Sequence, residues 1–389
     1  MSLPSPTIPR IRPTHIEVDL DAVVANAGVL SRATATPLYA VVKADAYGHG
    51  AAEVAGALMA RQAVAGFAVS LVEEGAQLRD AGVTLPILVM GPALDGGHDE
   101  LAGRDMTAMV TDEHDLEVLA EIGRRRGLPV ELHVKVDTGM GRLGFALADL
   151  QRVITRLVRR GGAVIHGLAT HLASADSDDP GDPSCQTRGQ LAVFADAIAI
   201  ARAAGAAPRV LHTANSSGAF LFPEARYDLA RCGLALYGNG AGRWREHVPA
   251  AAELRQAMRL VSQIVQLRTI PEGGSVGYGA LWRAATATRV AVLPLGYADG
   301  LARRLTGTGE ALIRGQRCPL IGAISMDVTI ADVSALPDAA VGDEAVLLGA
   351  QGGDCIRTAE LASRAGLTEY EITCGVSKRV PRVHRRVPQ

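Results

Sequence analysis

Up to about residue 240, short apolar segments alternate with helical patterns, and this alternation constrains the fold more than any other feature. The sequence predicts strands at 38–43, 66–70, 86–90, 106–110, 130–136, 163–170, 209–212 and 227–231. It predicts helices at about 22–32, 50–61, 71–81, 112–126, 146–160 and 187–204. Strands that alternate with helices form a parallel sheet, which is either closed as a (β/α)8 barrel or open and doubly wound. The count of eight strands favours the barrel within an α/β fold.

After about residue 240 the helical periodicity fades, and short Val/Ile/Leu runs separated by Gly and Pro take its place. The runs lie at 259–270, 288–294, 311–313, 318–321, 329–333, 344–348 and 379–383. One helical piece, residues 357–364 with Thr358 as its N-cap, interrupts them. This pattern predicts a mostly β C-terminal domain. We expect an N-terminal arm at 1–13, a barrel domain at 14–242 and the β-rich domain at 243–389.

The composition indicates a soluble enzyme and argues against several other classes of protein. Apolar residues form 48% of the chain, which is enough for a large core, and the net charge of −2 argues against a general nucleic-acid binder. The five cysteines are far apart and form no Cys-x-x-Cys pair, so neither a disulfide framework nor a zinc site is expected. We find no signal peptide and no apolar run long enough to span a membrane, and we expect a cytoplasmic location.

A lysine stands at the end of the first predicted barrel strand and is followed by a glycine-rich turn. The stretch reads Val41-Val42-Lys43-Ala44-Asp45-Ala46-Tyr47-Gly48-His49-Gly50. Desolvation at the end of a buried strand lowers the pKa of a lysine, which makes the amine a nucleophile and suits it to form a Schiff base. The alternative is a lysine that extends its ammonium to solvent at the barrel rim.

A Gly-x-Gly-x-x-Gly pattern at residues 139–144 follows the fifth predicted strand and precedes a helix. Such a pattern can mark a dinucleotide site, but a dinucleotide fingerprint carries an acidic residue about 20 positions further on. Residues 163–165 read Ala-Val-Ile instead, which argues against a dinucleotide site.

Polar residues also follow the last three predicted barrel strands. His171 ends the sixth strand, Asn215 and Ser216 end the seventh, and Arg231 ends the eighth. In a barrel the active site forms at the carboxyl ends of the strands, and phosphate sites are common after strands seven and eight. The simpler alternatives are a structural histidine, an ordinary Asn/Ser helix cap and an arginine in a surface salt bridge.

In this order, the motifs resemble those of the alanine racemases. Residues 41–50 resemble the pyridoxal-phosphate lysine motif of that family, and the similarity continues through both predicted domains to Arg382. The departures are small, with Asp45 where the family often has Asn and Ser325 where it often has Cys. The region 238–253 is unlike the common pattern.

The resemblance implies a pyridoxal 5'-phosphate cofactor and two catalytic residues, Lys43 and Tyr278. The cofactor-binding residues that it implies are Lys43, Tyr47, Arg142, His171, Asn215, Ser216, Arg231, Gly233, Leu234 and Tyr370. The substrate-binding residues that it implies are Arg142, Tyr297, Met326 and Asp327. No metal is implied.

Two further features follow from the resemblance. Lys135 corresponds to a lysine that is often carbamylated and then braces Arg142; the alternative is an unmodified lysine paired with Asp137. In the family two subunits associate head to tail and share their active sites, so Tyr278 and the residues around Met326 would come from the partner subunit. We therefore expect a homodimer.

The resemblance places Arg231 against the pyridine nitrogen of the cofactor. An arginine carries donors only, so it cannot accept the ring proton and would hold the nitrogen unprotonated, whereas an aspartate would protonate it. An unprotonated ring is a weaker electron sink, so a carbanion at Cα would be short-lived and would be reprotonated there. This favours racemisation over transamination.

We therefore expect a racemase that interconverts L-alanine and D-alanine by a two-base mechanism and supplies D-alanine for peptidoglycan. Three alternatives stay open. A broader racemase for serine or lysine would carry the same lysine and tyrosine. A pyridoxal-phosphate decarboxylase would usually have an acid at the ring nitrogen and a catalytic cysteine near the C-terminus, for which Cys374 is weak support. A cofactor carrier without chemistry would have no use for Tyr278.

Overall fold

A computed structural model describes residues 11–94, 96–240 and 243–385 of the chain. The chain divides into two compact units. One, the barrel unit, is Leu20–Arg255. The other, the β-rich unit, combines the residues up to Asp19 with those from Gln256 onward. The limits predicted for the domains stay predictions, and residues 1–10, 241 and 242 lie outside the described part of the chain.

Eight parallel strands form the barrel unit, and the α/β fold class predicted from the sequence is confirmed. After β1 (His15–Asp19), which belongs to the other unit, the strands follow in chain order as β2 (Leu38–Val41), β3 (Gly66–Val69), β4 (Ile87–Val89), β5 (Thr107–Val110), β6 (Val130–Lys135), β7 (Ala163–Ala169), β8 (Val210–His212) and β9 (Ala230–Cys232). Each strand from β2 to β7 pairs with the next, and β9 returns to pair with β2. This return distinguishes a barrel from a doubly wound sheet.

Helices separate the strands. They are α1 (Leu20–Thr34), α2 (Lys43–Gly48), α3 (Ala51–Ala60), α4 (Val72–Asp80), α5 (Gly97–Gly103), α6 (Glu113–Arg126), α7 (Leu147–Arg160), α8 (Gln186–Ala203), α9 (Ser216–Leu221) and α10 (Arg243–His247). Local signals set their ends. At α6, Asp112 caps the first turn by accepting from the Asp115 amide, and Gly127 ends the helix in a left-handed conformation. The six helices that were predicted with bounds are present, and α9 begins at the predicted Asn/Ser helix cap. No bounds were predicted for the short α2, α5 and α10.

The turn after β2 has an unusual backbone. Ala44, Asp45, Ala46 and Tyr47 all have φ between 52° and 56°, so four consecutive non-glycine residues form a left-handed turn. Such a conformation costs roughly 1–2 kcal/mol per residue and persists only where the surroundings impose it. Here the Glu74 carboxylate accepts from the Ala44 amide at 2.6 Å, and the Asp45 carboxylate accepts from the Ala51 amide at 2.8 Å. The sequence predicted a turn that its glycines would permit, and not this geometry.

The β-rich unit consists of β1 and strands β10 (Met258–Gln263), β11 (Gln266–Ile270), β12 (Ser275–Val276), β13 (Trp282–Arg283), β14 (Thr288–Leu293), β15 (Glu310–Ile313), β16 (Gln316–Ile321), β17 (Thr329–Asp332), β18 (Glu344–Gln351), β19 (Asp354–Ile356) and β20 (Arg382–Arg385). Its main sheet has the order β11-β14-β17-β16-β15-β18-β10-β1-β20. The pairing is antiparallel except between β1 and β20. The prediction of a mostly β C-terminal domain is confirmed.

Three local predictions for this unit were wrong in detail. The run predicted at 259–270 is two strands, β10 and β11, with Ile264 and Val265 between them. The predicted helix is α11 (Thr358–Ala365), but its N-cap is Arg357, and Thr358 is the first helical residue. A second helix, α12 (Glu369–Cys374), was missed; Thr368 caps it by accepting from the Glu371 amide.

In the described part of the chain, no helix combines the length and the apolar character that crossing a membrane requires.

Candidate active site

Lys43 lies one residue beyond the end of β2, at the first position of α2. It is half-buried, whereas Tyr47 at the far end of the left-handed turn is buried. The turn therefore places a lysine at the carboxyl end of the barrel and directs the chain into α3. This is the location at which (β/α)8 barrels carry their chemistry.

Three predicted cofactor-binding residues lie together in the barrel unit. The Gly233 amide donates to Ser216 Oγ at 3.2 Å, and Ser216 itself is buried. A Cβ added to Gly233 would clash with the hydroxyl oxygen of Tyr47, so Gly233 and the Tyr47 phenol are in close approach. Leu234 begins the short 3-10 turn that follows. A serine hydroxyl, a phenol and the backbone amides of a glycine turn are donors that suit a phosphate.

Asn215 is the N-cap of α9. Its side-chain oxygen accepts from the Gly218 amide at 2.9 Å, and its side-chain nitrogen lies 3.4 Å from the carbonyl oxygen of Leu172. The capping role that was the simpler alternative for this residue is therefore present. Its predicted contact with the cofactor stays a prediction.

Arg231 is fully buried on β9 and is held from several sides. Its Nη1 donates to His212 Nδ1 at 2.6 Å, and its Nη2 donates to the Thr170 carbonyl oxygen at 2.8 Å. His171 Nδ1 lies 3.4 Å from the same Nη2. The alternative of a surface salt bridge is excluded, because Arg231 is only 4% exposed. Burial lowers the pKa of Arg231 to about 10, so the guanidinium still carries its charge at neutral pH.

The histidines around Arg231 are neutral. Burial and then the charge of Arg231 lower the pKa of His171 to about 3 and hold the pKa of His212 well below its ordinary value. Because His212 Nδ1 accepts from Arg231, its Nε2 carries the proton and donates to His133 Nδ1 at 2.7 Å. His133 is also neutral, with its pKa lowered to about 3 mainly by burial. His212 therefore presents an accepting nitrogen to Arg231, which helps to orient the guanidinium, and His133 fixes the tautomer of His212.

Lys135 ends β6 and is buried among positive charges. Burial, followed by the charges of Arg142 and Arg231, lowers the pKa of Lys135 to about 8. The Asp137 carboxylate accepts from the amides of the turn at residues 139–141, at distances of 2.9–3.1 Å. The exposed Arg142 follows that turn. The pKa of this amine is lowered because cations lie beside it. Conversion of the amine into a carbamate anion would replace that repulsion with attraction, which agrees with the predicted carbamylation.

The remaining predicted residues lie on exposed positions of the β-rich unit. Tyr278 is 75% exposed on a short turn between Gly277 and Gly279, both of which have positive φ. Tyr297, Met326 and Tyr370 are 42%, 51% and 47% exposed. Asp327 is exposed and bonds to Arg379.

Sequence reasoning assigned no role to His212, His133 or Thr170, although all three belong to the network around Arg231. His212 is the residue that ends β8, and His133 is a buried residue of β6. The signal for them was a histidine on an apolar strand next to predicted site residues. No spacing rule links positions 133 and 212, because only the pairing of β6, β7 and β8 brings them together.

The barrel unit therefore combines a lysine at the end of its first strand with a donor cradle after its last two strands. This arrangement is typical of a barrel enzyme that binds a phosphate-bearing cofactor, with Lys43 as the candidate for its covalent attachment.

Comparisons with known proteins identify the family. The family model for the alanine racemase N-terminal domain matches residues 18–240, and that for the C-terminal domain matches residues 257–384. The alanine racemase of Sorangium cellulosum (strain So ce56) is 43% identical over 391 residues, which cover 96% of this chain and all of that one. This chain belongs to the alanine racemase family.

Solved structures agree with the sequence comparison. The crystal structure of alanine racemase from the D-cycloserine-producing Streptomyces lavendulae has a TM-score of 0.89 and 34% identity, and the match covers 97% of this chain and 98% of that one. That of alanine racemase from Bartonella henselae with covalently bound pyridoxal phosphate has a TM-score of 0.84 and 28% identity, and the match covers 96% and 99% of the two chains. The resemblance predicted from the motifs is confirmed.

Proposed function

We propose that the protein interconverts L-alanine and D-alanine with pyridoxal 5'-phosphate and that it supplies D-alanine for peptidoglycan. The observation that carries the proposal is the approach of Tyr47, Ser216 and Gly233 to one another at the end of the barrel that also bears Lys43. Membership of the alanine racemase family supports the same reaction. A solved relative with covalently bound pyridoxal phosphate supports the cofactor.

The residues present fit this cofactor. Lys43 would hold it covalently, and Tyr47, Ser216, Gly233 and Leu234 would hold its phosphate. Arg231 would face the ring nitrogen, since it is a fixed donor without an accepting atom. The remaining residues proposed for cofactor binding are Arg142, His171, Asn215 and Tyr370. When bound, the cofactor stabilises negative charge at the Cα of the amino acid.

Lys43 and Tyr278 are the proposed acid and base. One side chain removes the proton from Cα on one face, and the other returns a proton on the opposite face, which inverts the configuration. Arg142, Tyr297, Met326 and Asp327 are proposed to bind the substrate. The exposure of Tyr278, Tyr297 and Met326 supports a head-to-tail homodimer in which these side chains contribute to the partner's site, because large apolar groups seldom stay exposed together.

Arg231 also favours racemisation over decarboxylation. Arg231 is a buried cation, and a pyridoxal-phosphate decarboxylase usually has an acid at the ring nitrogen, the place proposed for Arg231. The supporting feature for a decarboxylase was Cys374, which is exposed on α12 of the β-rich unit. We propose a cytoplasmic location, no nucleic-acid partner and no resident metal.

The experiment that tests the function follows the enantiomer ratio of alanine. Purified protein with bound cofactor is incubated separately with L-alanine, L-serine and L-lysine, and the products are resolved by chiral chromatography. Alanine converted well above the other two supports the proposal. Faster racemisation of serine or lysine than of alanine would keep the mechanism and change the substrate. Release of CO2 without formation of a D-amino acid would reassign the reaction to decarboxylation.

Gly233→Ala is expected to weaken cofactor binding by about tenfold or more, because its Cβ would clash with the Tyr47 hydroxyl. The measurement is the dissociation constant for pyridoxal phosphate, followed by its absorbance. Gly189→Ala is the matched control, since a Cβ at that exposed helical position meets nothing within 4 Å. Equal affinity in the two variants would contradict the proposal that Gly233 binds the phosphate of the cofactor.

Lys135 is expected to be carbamylated. The uncharged amine attacks the carbon of CO2, a new N–C bond forms and one proton leaves to water, so that a cation becomes an anion beside Arg142. With a pKa of about 8, the uncharged fraction rises with pH and is about one half at pH 8. Protein in ¹³C-labelled bicarbonate should give one carbamate resonance by NMR, absent from Lys135→Met and retained in Lys378→Met. A spectrum without it would leave Lys135 as an unmodified lysine.

A further inference from the structure

A buried carboxylate lies under the loops of the β-rich unit that carry the proposed substrate residues. Asp299 is fully buried, and its Oδ1 forms ion pairs with Arg12 Nη2 at 2.8 Å and with Arg379 Nε at 3.0 Å. Its Oδ2 accepts from the Gly296 amide at 3.0 Å. Arg379 also reaches outward, with its Nη2 2.6 Å from Asp327 Oδ1. We call Arg12, Asp299, Arg379 and Asp327 the charge cluster.

The charge cluster connects two loops. The Tyr297 amide donates to the Ser325 carbonyl oxygen at 3.0 Å, and the Ala298 amide donates to that of Met326 at 3.1 Å. A Cβ at Gly296 would clash with the backbone of Ser325 and Met326, so the loops are in direct contact. The two loops therefore form one edge, which carries Tyr297, Met326 and Asp327. The buried Asp299 stabilises that edge by accepting from the Gly296 amide.

Arg379 has a charge role as well as a structural one. Asp327 is exposed on the edge that the substrate is proposed to meet, and the α-carboxylate of an amino acid is an anion. An uncompensated aspartate there would repel that carboxylate, since like charges a few Å apart interact unfavourably even near solvent. Arg379 is anchored on a carboxylate that is 0% exposed, so its guanidinium is held in place to neutralise Asp327.

We propose that Arg379 is a positioning residue for substrate binding, which, held by buried Asp299, neutralises Asp327 and so admits the carboxylate of the amino acid. The inference rests on the proposed function for the assignment of Asp327 to the substrate edge. It goes beyond that function by naming a residue outside the proposed contacts and by giving the sign of its effect. Removal of Arg379 harms binding because the negative charge of Asp327 is no longer neutralised, so screening of that charge by salt should restore binding.

The test compares Arg379→Gln with the parent protein at about 0.1 M and at about 1 M KCl. The affinity of the holoenzyme for L-alanine is measured by isothermal titration calorimetry, and kcat is measured by chiral chromatography. We expect Arg379→Gln to weaken binding about fivefold to tenfold with kcat within about twofold of the parent. These values apply at about 0.1 M KCl. At about 1 M KCl the ratio of the two affinities should fall to about twofold or less, because salt screens the charge of Asp327. Arg314→Gln, which removes another exposed Arg–Asp pair of this unit, is the control and should change neither value.

A merely structural role predicts a different result, because the loss of affinity would then be the same at both salt concentrations. The proposal is overturned if Arg379→Gln binds alanine as well as the parent at about 0.1 M KCl, or if its loss of affinity does not shrink at about 1 M KCl. Should Arg379→Gln fail to fold, Arg379→Met, which also removes the charge and keeps an unbranched side chain, is judged by the same two outcomes. Failure of the proposed function would appear separately, as alanine that binds and is not racemised.

Discussion

Replacing Lys43 with alanine is expected to remove the visible absorbance of the lysine-bound cofactor and to lower racemisation by about 10⁴-fold or more. The reason is that Lys43 is proposed to serve twice, as the covalent anchor and as one of the two bases. Its place at the end of β2, directly before a strained left-handed turn, fits a residue that must be held in a fixed position. The measurements are the absorbance spectrum after reconstitution and the rate of D-alanine formation.

The chain offers a sharp control for this prediction, because Lys43, Lys135 and Lys378 are its three lysines. Borohydride reduction followed by mass spectrometry of peptides should place the cofactor on Lys43. Lys378→Ala, at an exposed position of the β-rich unit, should keep the full absorbance and activity. A cofactor attached at Lys135 or Lys378, or an unchanged spectrum in Lys43→Ala, would contradict the assignment of the anchor.

Replacing Tyr278 with phenylalanine is expected to keep the cofactor absorbance and to lower racemisation by about 10²- to 10⁴-fold, the range of a general acid or base. Tyr278 is 75% exposed on a turn between two glycines, so loss of its hydroxyl should leave the fold intact. Lys43 still exchanges the Cα proton on its own face. In D2O the variant should therefore incorporate deuterium into one enantiomer of alanine and leave the other unlabelled.

The matched control is Tyr227→Phe, a half-buried tyrosine of the barrel unit that packs edge-on against Phe194. It should racemise alanine at the rate of the parent protein. Full activity in Tyr278→Phe, or equal deuterium incorporation into both enantiomers, would remove Tyr278 from the two-base assignment.

The architecture of the barrel was predictable because its signals are local. Each strand is a short apolar run, each long helix has its own periodicity, and ends such as Asp112 and Gly127 of α6 have the residue types that capping requires. The predicted strands differ from the observed ones by a few residues at their ends. Short helices such as α12 were missed, because six residues are too few to show a period.

The site residues that belong to a local motif were predictable from the sequence. Those that are brought together only by the pairing of distant strands or loops were not. Lys43, Tyr47 and Gly233 were named from motifs, and the structure brings Tyr47 and Gly233 into contact. The His133–His212 bond joins residues 79 positions apart, and the charge cluster joins Arg12 to Arg379. Sequence spacing contains no information about such pairs. The left-handed turn at 44–47 runs against residue propensity, since alanine disfavours positive φ.

The measurement that tests the central claim most directly is complementation between two inactive variants. Lys43→Ala and Tyr278→Phe subunits are mixed, allowed to exchange and assayed for D-alanine formation. If each site takes Lys43 from one subunit and Tyr278 from its partner, a mixed dimer has one intact site. A random equal mixture should then regain about a quarter of the parent activity, since half of the dimers are mixed. If both residues serve the same subunit's site, the mixture would stay inactive although the subunits have exchanged, and that result would contradict the shared two-base site.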